Sequence, residues 1–467
     1  MTRIDELQKK YPSIPREVII KWEVVANGVA DSPELDEVSE WTRPTSYQTY
    51  DFDVTLKQME EKRGKRTDGG RLLRPGNLYM KNGVGARIQV STRSPYSIRD
   101  SGNGVLSLFE GEERIDEDLY FPRPKPREGK EPVTSRGTPI DSLINTPRQC
   151  FFVMPVRYCE YFATGEQCKF CNFNPTQEDA SSIGIARPIT INLEDTLEAY
   201  KIRSEEIRIL EGRLEMGGFM SSENESRIYF DFVGKIANAA SYKPNFVVHT
   251  EAMDRKDMQR LKDAGLESIT IQLEVWDPAL FNEVCPGKAK HAPHEKWLQS
   301  CLDAVDVFGV GSVGGKIIAG LSMIPEKGHK TWQEALESHN EGNRWMIKNG
   351  IFPVTSNLRL PPGSIYGADQ SNRSKLPPSD YYLEMAMAHH HDMNEFGLYD
   401  KLNKLMYCAL CCVPGIYCGE LGMLERSGDI GSWMADVTPS EANWMAHFVE
   451  SLKSPAAATV GQKFYII

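Results

Sequence analysis

Short apolar runs alternate with longer stretches of helical period through the middle of this chain. The runs CFFVMPV, RLEMGG, FVVHTEA, SITIQLEV, GGKIIAGLSMI and FPVTSNLRLPP begin at positions 150, 213, 246, 268, 314 and 352. Each is short, rich in branched or aromatic residues and bounded by turn formers, as expected of buried strands. Between them, residues 193–211, 226–240, 254–264, 296–308 and 332–349 place apolar side chains on one helical face. Strand followed by helix or loop, repeated, predicts parallel βα units with right-handed crossovers. The expected fold class is α/β. Residues 146–370 are expected to form a partial (β/α)6 TIM-type barrel, with functional groups at the C-terminal ends of its strands.

The flanks have a different pattern. Residues 1–145 open with a predicted helix at 15–27, where Pro15 suits a first turn. Short strand patterns follow in ARIQVSTRSPYSI and GVLSLFEG, then a linker, FPRPKPREGKEP. This region is expected to be an N-terminal α+β extension. Residues 371–467 are expected to be mainly helical, with a helix at 379–394 that carries His389, His390 and His391. Consecutive helical residues point about 100° apart, so the three imidazoles face different ways and a mixed, partly solvated face is expected.

Charge and composition narrow the function. Lys and Arg number 54 against 65 Asp and Glu, a net −11. That balance argues against nucleic acid and anionic membrane as partners. The apolar stretch at 314–324 is far short of the roughly 20 residues of a membrane span. The first twenty residues are charged and lack an apolar signal core, so a cytoplasmic location is expected. Ten cysteines in such a chain point to metal or redox chemistry rather than a disulfide framework.

Seven of those cysteines fall into two groups. Cys159, Cys168 and Cys171 form a C-x8-C-x2-C set directly after the first predicted strand, with Phe170 before the last thiol. Three thiolates can hold a [4Fe–4S] cluster and leave one iron open for a ligand, whereas four-cysteine sites serve electron transfer or structure. Structural zinc is an alternative, but it wants four N or S donors and no histidine lies near this loop. Ordinary thiols are a second alternative. Cys408, Cys411, Cys412 and Cys418 form the other group, a candidate auxiliary iron–sulfur or thiophilic metal site. Its apolar setting, LMYCALCCVPGIYC, also suits buried packing thiols. No G-x-S-x-G or H-E-x-x-H motif is present.

The trio, its place after the first strand and the βα repeats resemble the radical S-adenosylmethionine superfamily. The commonest family spacing is CxxxCxxC. Here Cys168-Lys169-Phe170-Cys171 keeps the second half, and the first gap is eight residues instead of three. The resemblance covers residues 146–370. It implies a [4Fe–4S] cluster on the three cysteines, S-adenosylmethionine as cosubstrate, and reductive cleavage to a 5′-deoxyadenosyl radical that acts on a small-molecule substrate. It also implies an external one-electron donor of flavodoxin or ferredoxin type. Gly217-Gly218 matches the family's glycine motif at the methionine end. Gln272-Leu273-Glu274 resembles the ribose-binding Asn-Leu-Asp of biotin-synthase-like members, and alternation along a strand would put Gln272 and Glu274 on one face. Lys316 and Gly320 fall in the adenine-side segment, and Arg359 follows the sixth strand. Two other readings stay open: transfer of an aminocarboxypropyl group from the same cosubstrate, and a zinc-stabilised, non-catalytic binding protein.

Overall fold

In the computed structural model, the residues described are 1–38, 55, 57–58, 61, 77–102, 105–121, 123–124, 132–145, 150–182, 188–206, 211–239, 245–402, 418–437 and 465–466. Cys408, Cys411 and Cys412 lie outside them.

Six parallel strands run through the middle of the chain in sequence order: β1 (Cys150–Val153), β2 (Glu211–Glu215), β3 (Asn245–Thr250), β4 (Ser268–Glu274), β5 (Val313–Ala319) and β6 (Phe352–Asn357). A short seventh strand, Ile144–Asn145, adds to β1 antiparallel, a pairing that the apolar pattern did not signal. The strand order never reverses. Right-handed crossovers therefore carry every connecting helix to the same face of the sheet, unlike a doubly wound sheet.

The crossover helices are Leu193–Glu206, Ser222–Ala239, Arg255–Asp263, His294–Phe308 and Trp332–Lys348, close to the segments expected from the helical period. The last begins with a capping box, in which Thr331 and Glu334 satisfy each other's backbone N–H groups. Sequence reading passed over Pro278–Val284 and Pro286–His291, two short helices joined at Cys285. Each opens on a proline, which suits a first turn. The chain opens instead with a helix at Arg3–Lys10, and the expected helix is Arg16–Asn27, so Pro15 stands one place ahead of its first turn rather than inside it.

One hydrophobic core fills the sheet and its helices, including Leu214, Val248, Ile269, Ile271, Leu273 and Trp297. A second core joins the N-terminal region to the far end of the sheet and to the helix Ser379–Glu395. There Trp22 stacks on Tyr382 with ring centroids 5.4 Å apart. Beside it, Lys21 pairs with Glu420 at 2.9 Å, and the Trp22 indole N–H donates to Glu420 at 3.0 Å. A buried pair of this kind tolerates loss of neither partner.

The histidine run has the mixed face expected of it. His389 is buried, His390 half-buried and His391 exposed. Both ring nitrogens of His389 lack a hydrogen-bond partner. Burial, reinforced by His390, His339 and Lys21, lowers its pKa to about 3; burial lowers that of His339 to about 3 as well. Both imidazoles are therefore neutral in the fold but protonate near pH 6.5 when unfolded. The unfolded chain binds more protons between pH 6.5 and about 3, so stability falls with pH through that window. At about 1.4 kcal/mol per pKa unit, each histidine contributes a loss on the order of a few kcal/mol. Urea midpoints for wild type and His389→Leu, measured from pH 7 to 4, should show a shallower decline in the variant. Parallel declines would contradict this.

Candidate functional site

The cysteine loop leaves the C-terminal end of β1 and is tied down on two sides. On the first side, Asn174 grips Cys159 at both ends of the residue: its Oδ1 accepts from Cys159 N–H at 2.9 Å and its Nδ2 donates to Cys159 O at 3.1 Å. Glu160 N–H donates to Gly218 O at 2.9 Å, and Met220 N–H donates to Glu160 Oε2 at 2.7 Å. Gly217-Gly218, just beyond β2, is thus the seat of the loop. A Cβ on Gly217 would collide with Tyr158 O and lie 2.7 Å from Cys159 N. A Cβ on Gly218 would lie 2.6 Å from the Tyr161 ring and 2.9 Å from Glu251 Oε1. The space that two missing side chains leave is taken by the cysteine loop.

On the second side, the junction of the two short helices brackets the loop. Lys169 N–H donates to Val284 O at 2.9 Å, and Gly287 N–H donates to Glu166 O at 2.9 Å. Cys168 lies within that bracket and shares a side-chain hydrogen bond with Cys285. Cys171 N–H donates to Cys168 O at 3.0 Å, which closes the C-x2-C turn. Cys159 and Cys168 are buried and Cys171 is half-buried. Burial, then the neighbouring thiols of Cys171 and Cys168, push the Cys159 thiol well up. The hydrogen bond to Cys285, then burial, do the same for Cys168, against the pull of Lys288. All of this favours neutral thiols until a metal displaces the protons.

Among the described residues, one set of three Cys, His, Asp or Glu ligand atoms converges within 4.8 Å: His391, Asp392 and Glu395 on the distant helix. Arg344 already pairs with Asp392 and Glu395 there. The three loop sulfurs do not converge that tightly. A single tetrahedral ion needs close convergence, whereas a cluster takes one thiolate per iron and spreads its ligands.

Below the loop the strand ends carry buried charge. Glu274 is 4% exposed and has φ 73°, the left-handed region, at a register shift after Ile271. Strict alternation is therefore broken at the Gln272/Glu274 pair, yet both reach one partner: Lys316 Nζ is 3.4 Å from Gln272 Oε1 and 3.7 Å from Glu274 Oε2. Lys288, 7% exposed, donates to Gln272 O at 2.7 Å and pairs with Glu274 Oε1 at 3.3 Å. Burial alone would lower the Lys288 pKa, but Glu274, Cys168 and Glu251 together raise it. Tyr161 Oη donates to Glu251 Oε2 at 2.7 Å, and Thr250 Oγ1 donates to Glu225 Oε1 at 2.9 Å. Glu225 Oε2 and Glu251 Oε1 are buried with no hydrogen-bond partner. Burial, then the Glu251 charge, push the Glu225 carboxyl up to about 8. Burial also raises Glu251, against Lys288 and Tyr161. The Lys288 charge thus acts on Glu225, Glu251 and Glu274, Lys316 pairs with Glu274, and the raised Glu225 carboxyl holds its proton at neutral pH.

The remaining candidates are less concentrated. Phe170 is half-buried against the main core. Arg359 is half-buried, and its charge reaches Tyr382. Gly320 has φ 81°; its N–H donates to Tyr381 Oη at 3.1 Å, and a Cβ would collide with Pro377. Its immediate surroundings are thus the C-terminal helix rather than the cysteine loop. Cys418 is buried, with Glu420 and Lys21 the charges that act on it. Sequence reading missed Tyr161, Glu225, Glu251, Cys285 and Lys288. Glu251 follows directly on β3, so the rule that function gathers at strand ends had pointed to its place.

No family model matches the chain. The chain is 28% identical over 270 residues to the bacteriochlorophyllide c C-7(1)-hydroxylase of Chlorobaculum limnaeum, a match over 54% of this chain and 61% of that relative. Among solved structures, methylornithine synthase aligns over 51% of this chain and 62% of its own, at 17% identity and TM-score 0.37. Coproporphyrinogen III oxidase from Escherichia coli, a radical S-adenosylmethionine enzyme, aligns over 54% of each chain at 13% identity and TM-score 0.34. A radical S-adenosylmethionine methyltransferase from Sphaerobacter thermophilus aligns over 84% of this chain and 91% of its own, at 10% identity and TM-score 0.35. The chain spans about three fifths of the curated relative that it matches.

Proposed function

We propose that this protein is a radical S-adenosylmethionine enzyme built on a partial barrel of six βα units, in which Cys159, Cys168 and Cys171 hold a [4Fe–4S] cluster. The observation that carries the reading is the loop itself. Three cysteines stand at the C-terminal end of the first parallel strand, seated on Gly217-Gly218. When bound, such a group supplies one electron to S-adenosylmethionine, whose C–S bond then breaks to give the 5′-deoxyadenosyl radical.

The chain's own residues have distinct tasks in this reading. Asn174 and the glycine seat fix the loop. Gln272 and Glu274 take the ribose, and Lys316 orients both. The raised carboxyl groups of Glu225 and Glu251 suit a cosubstrate that brings positive charge into a buried site, because a cation there lets them ionise. Phe170 shields the loop, and Gly320 and Arg359 shape the adenine side. The auxiliary site at Cys408, Cys411, Cys412 and Cys418 remains part of the proposal. So do a small-molecule substrate, a flavodoxin- or ferredoxin-type donor and a cytoplasmic setting. No helix among the described residues is long and apolar enough to cross a membrane. The hydroxylase relative supports attack on a C–H bond of an organic substrate.

The test is anaerobic reconstitution with iron and sulfide. A brown protein that releases 5′-deoxyadenosine on reduction with dithionite is expected, and Cys168→Ala should lose both colour and cleavage. A triple cysteine variant with full cleavage would refute the reading. Release of 5′-methylthioadenosine instead would redirect it to aminocarboxypropyl transfer, and colourless protein with stoichiometric zinc to a binding role.

A further inference from the structure

The short-helix junction at Cys285 does more than brace the loop. Cys285 is fully buried, yet its thiol meets that of Cys168. The backbone bonds on either side, Lys169 N–H to Val284 O and Gly287 N–H to Glu166 O, both 2.9 Å, hold the two residues opposite each other. Lys288, one helical turn on from Cys285, rests its ammonium on Gln272 O at 2.7 Å and Glu274 at 3.3 Å, near enough for its charge to act on both thiols. None of this is needed to make a three-thiol site. It adds an S–H donor and a positive charge behind one ligand of that site.

We propose that Cys285 is a positioning residue for the cluster-bound Cys168 thiolate: its S–H donates to the Cys168 sulfur and, with the Lys288 ammonium beside it, raises the reduction potential of the bound cluster. The inference rests on the proposed function above. An iron-bound thiolate carries no proton, so Cys168 becomes the acceptor and Cys285 the donor. Adding an electron places more negative charge on the ligand sulfurs. A donor hydrogen bond and a nearby cation stabilise that charge, and hydrogen bonds to sulfur are one of the levers on iron–sulfur potentials. Burial makes both effects stronger than they would be in water. Cys285 binds no iron in this role, and the open iron position stays open.

The experiment compares reconstituted wild type with Cys285→Ala and Cys285→Ser by redox titration, followed by electron paramagnetic resonance of the reduced cluster. Iron and sulfide per chain should match wild type in both variants. The midpoint should move to a more negative value in Cys285→Ala and return toward wild type in Cys285→Ser, whose hydroxyl restores a donor. An unchanged midpoint in Cys285→Ala would overturn the proposal. So would a loss of iron in that variant, which would make Cys285 a ligand. These failures differ from failure of the enzyme reading, in which the wild type itself would take up no cluster or cleave no S-adenosylmethionine.

Discussion

Glu274→Ala should destabilise the folded chain by about 3–5 kcal/mol, the range for stranding one charge of a buried pair. Glu274 is the common partner of Lys288 at 3.3 Å and Lys316 at 3.7 Å. The two lysines are not equally exposed to its loss. Lys316 has a side chain 20% exposed and can turn toward water, whereas that of Lys288 is 8% exposed. Without Glu274, Lys288 keeps the Gln272 carbonyl and the more distant Glu251 charge. The variant should therefore show a lower urea midpoint and a smaller holding capacity for any cationic guest. A double variant, Glu274→Ala with Lys288→Met, removes both charges and should recover part of the lost stability. A double variant worse than the sum of its parts would show that the pair is not the source of the effect. The left-handed backbone at Glu274, φ 73°, adds a second reading. A non-glycine residue held there costs on the order of 1 kcal/mol or more. Glu274→Gly should consequently be less harmful than Glu274→Ala, although it too strands Lys288. A folded site retains such a residue when its carboxylate is needed where the strand bends.

What could be read from the chain alone follows from the range of the interactions involved. The βα repeats are written in local periodicity, so β1 to β6 and the five crossover helices fall close to where apolar spacing put them. The cysteine trio is written in local spacing as well. The glycine pair was visible as a pair, but its role in seating the loop was not, because Gly217 meets Tyr158 across about sixty positions of sequence. The charge set is harder still. Glu225, Glu251 and Lys288 come from a helix, a strand end and a helix junction, and each resembles an ordinary surface residue when read in its own window. Burial turns them into a site, and burial is set by the packed whole. The alternation argument for Gln272 and Glu274 could not foresee the register shift between Ile271 and Glu274, which no local pattern marks, although both side chains still reach Lys316. The N-terminal region was legible as α+β. Its union with the helix Ser379–Glu395 in one core, around Trp22 and Tyr382, joins positions more than three hundred residues apart.

On the proposal that the cysteine loop holds a cluster, Gly217→Ala should abolish iron uptake while leaving most of the fold intact. The added methyl group would collide with Tyr158 O and sit 2.7 Å from Cys159 N. Both are main-chain atoms, so no rotamer change relieves the contact. The peptide between Tyr158 and Cys159 must move, but Cys159 is pinned at N and O by Asn174, and Glu160 is pinned to Gly218 O. Overpacking of this kind costs typically about 1–3 kcal/mol. Here the cost should be met by displacing the first part of the loop rather than by unfolding, because Cys159 packs in a small cluster apart from the main core, with Phe152, Met154, Tyr161 and Phe173. Gly218→Ala provides the internal control. Its methyl group would press on the Tyr161 ring and on Glu251 Oε1, at 2.6 and 2.9 Å. These are side-chain atoms, and moving them displaces no cysteine main chain directly. Iron per chain after anaerobic reconstitution should therefore fall in the order wild type, Gly218→Ala, Gly217→Ala, with nearly unchanged far-ultraviolet circular dichroism in all three. If Gly217→Ala takes up as much iron as wild type, the glycine pair is not the seat of the loop. The reverse order of the two variants would instead make Tyr161 and Glu251, rather than the Tyr158–Cys159 peptide, the part of the site that cannot move.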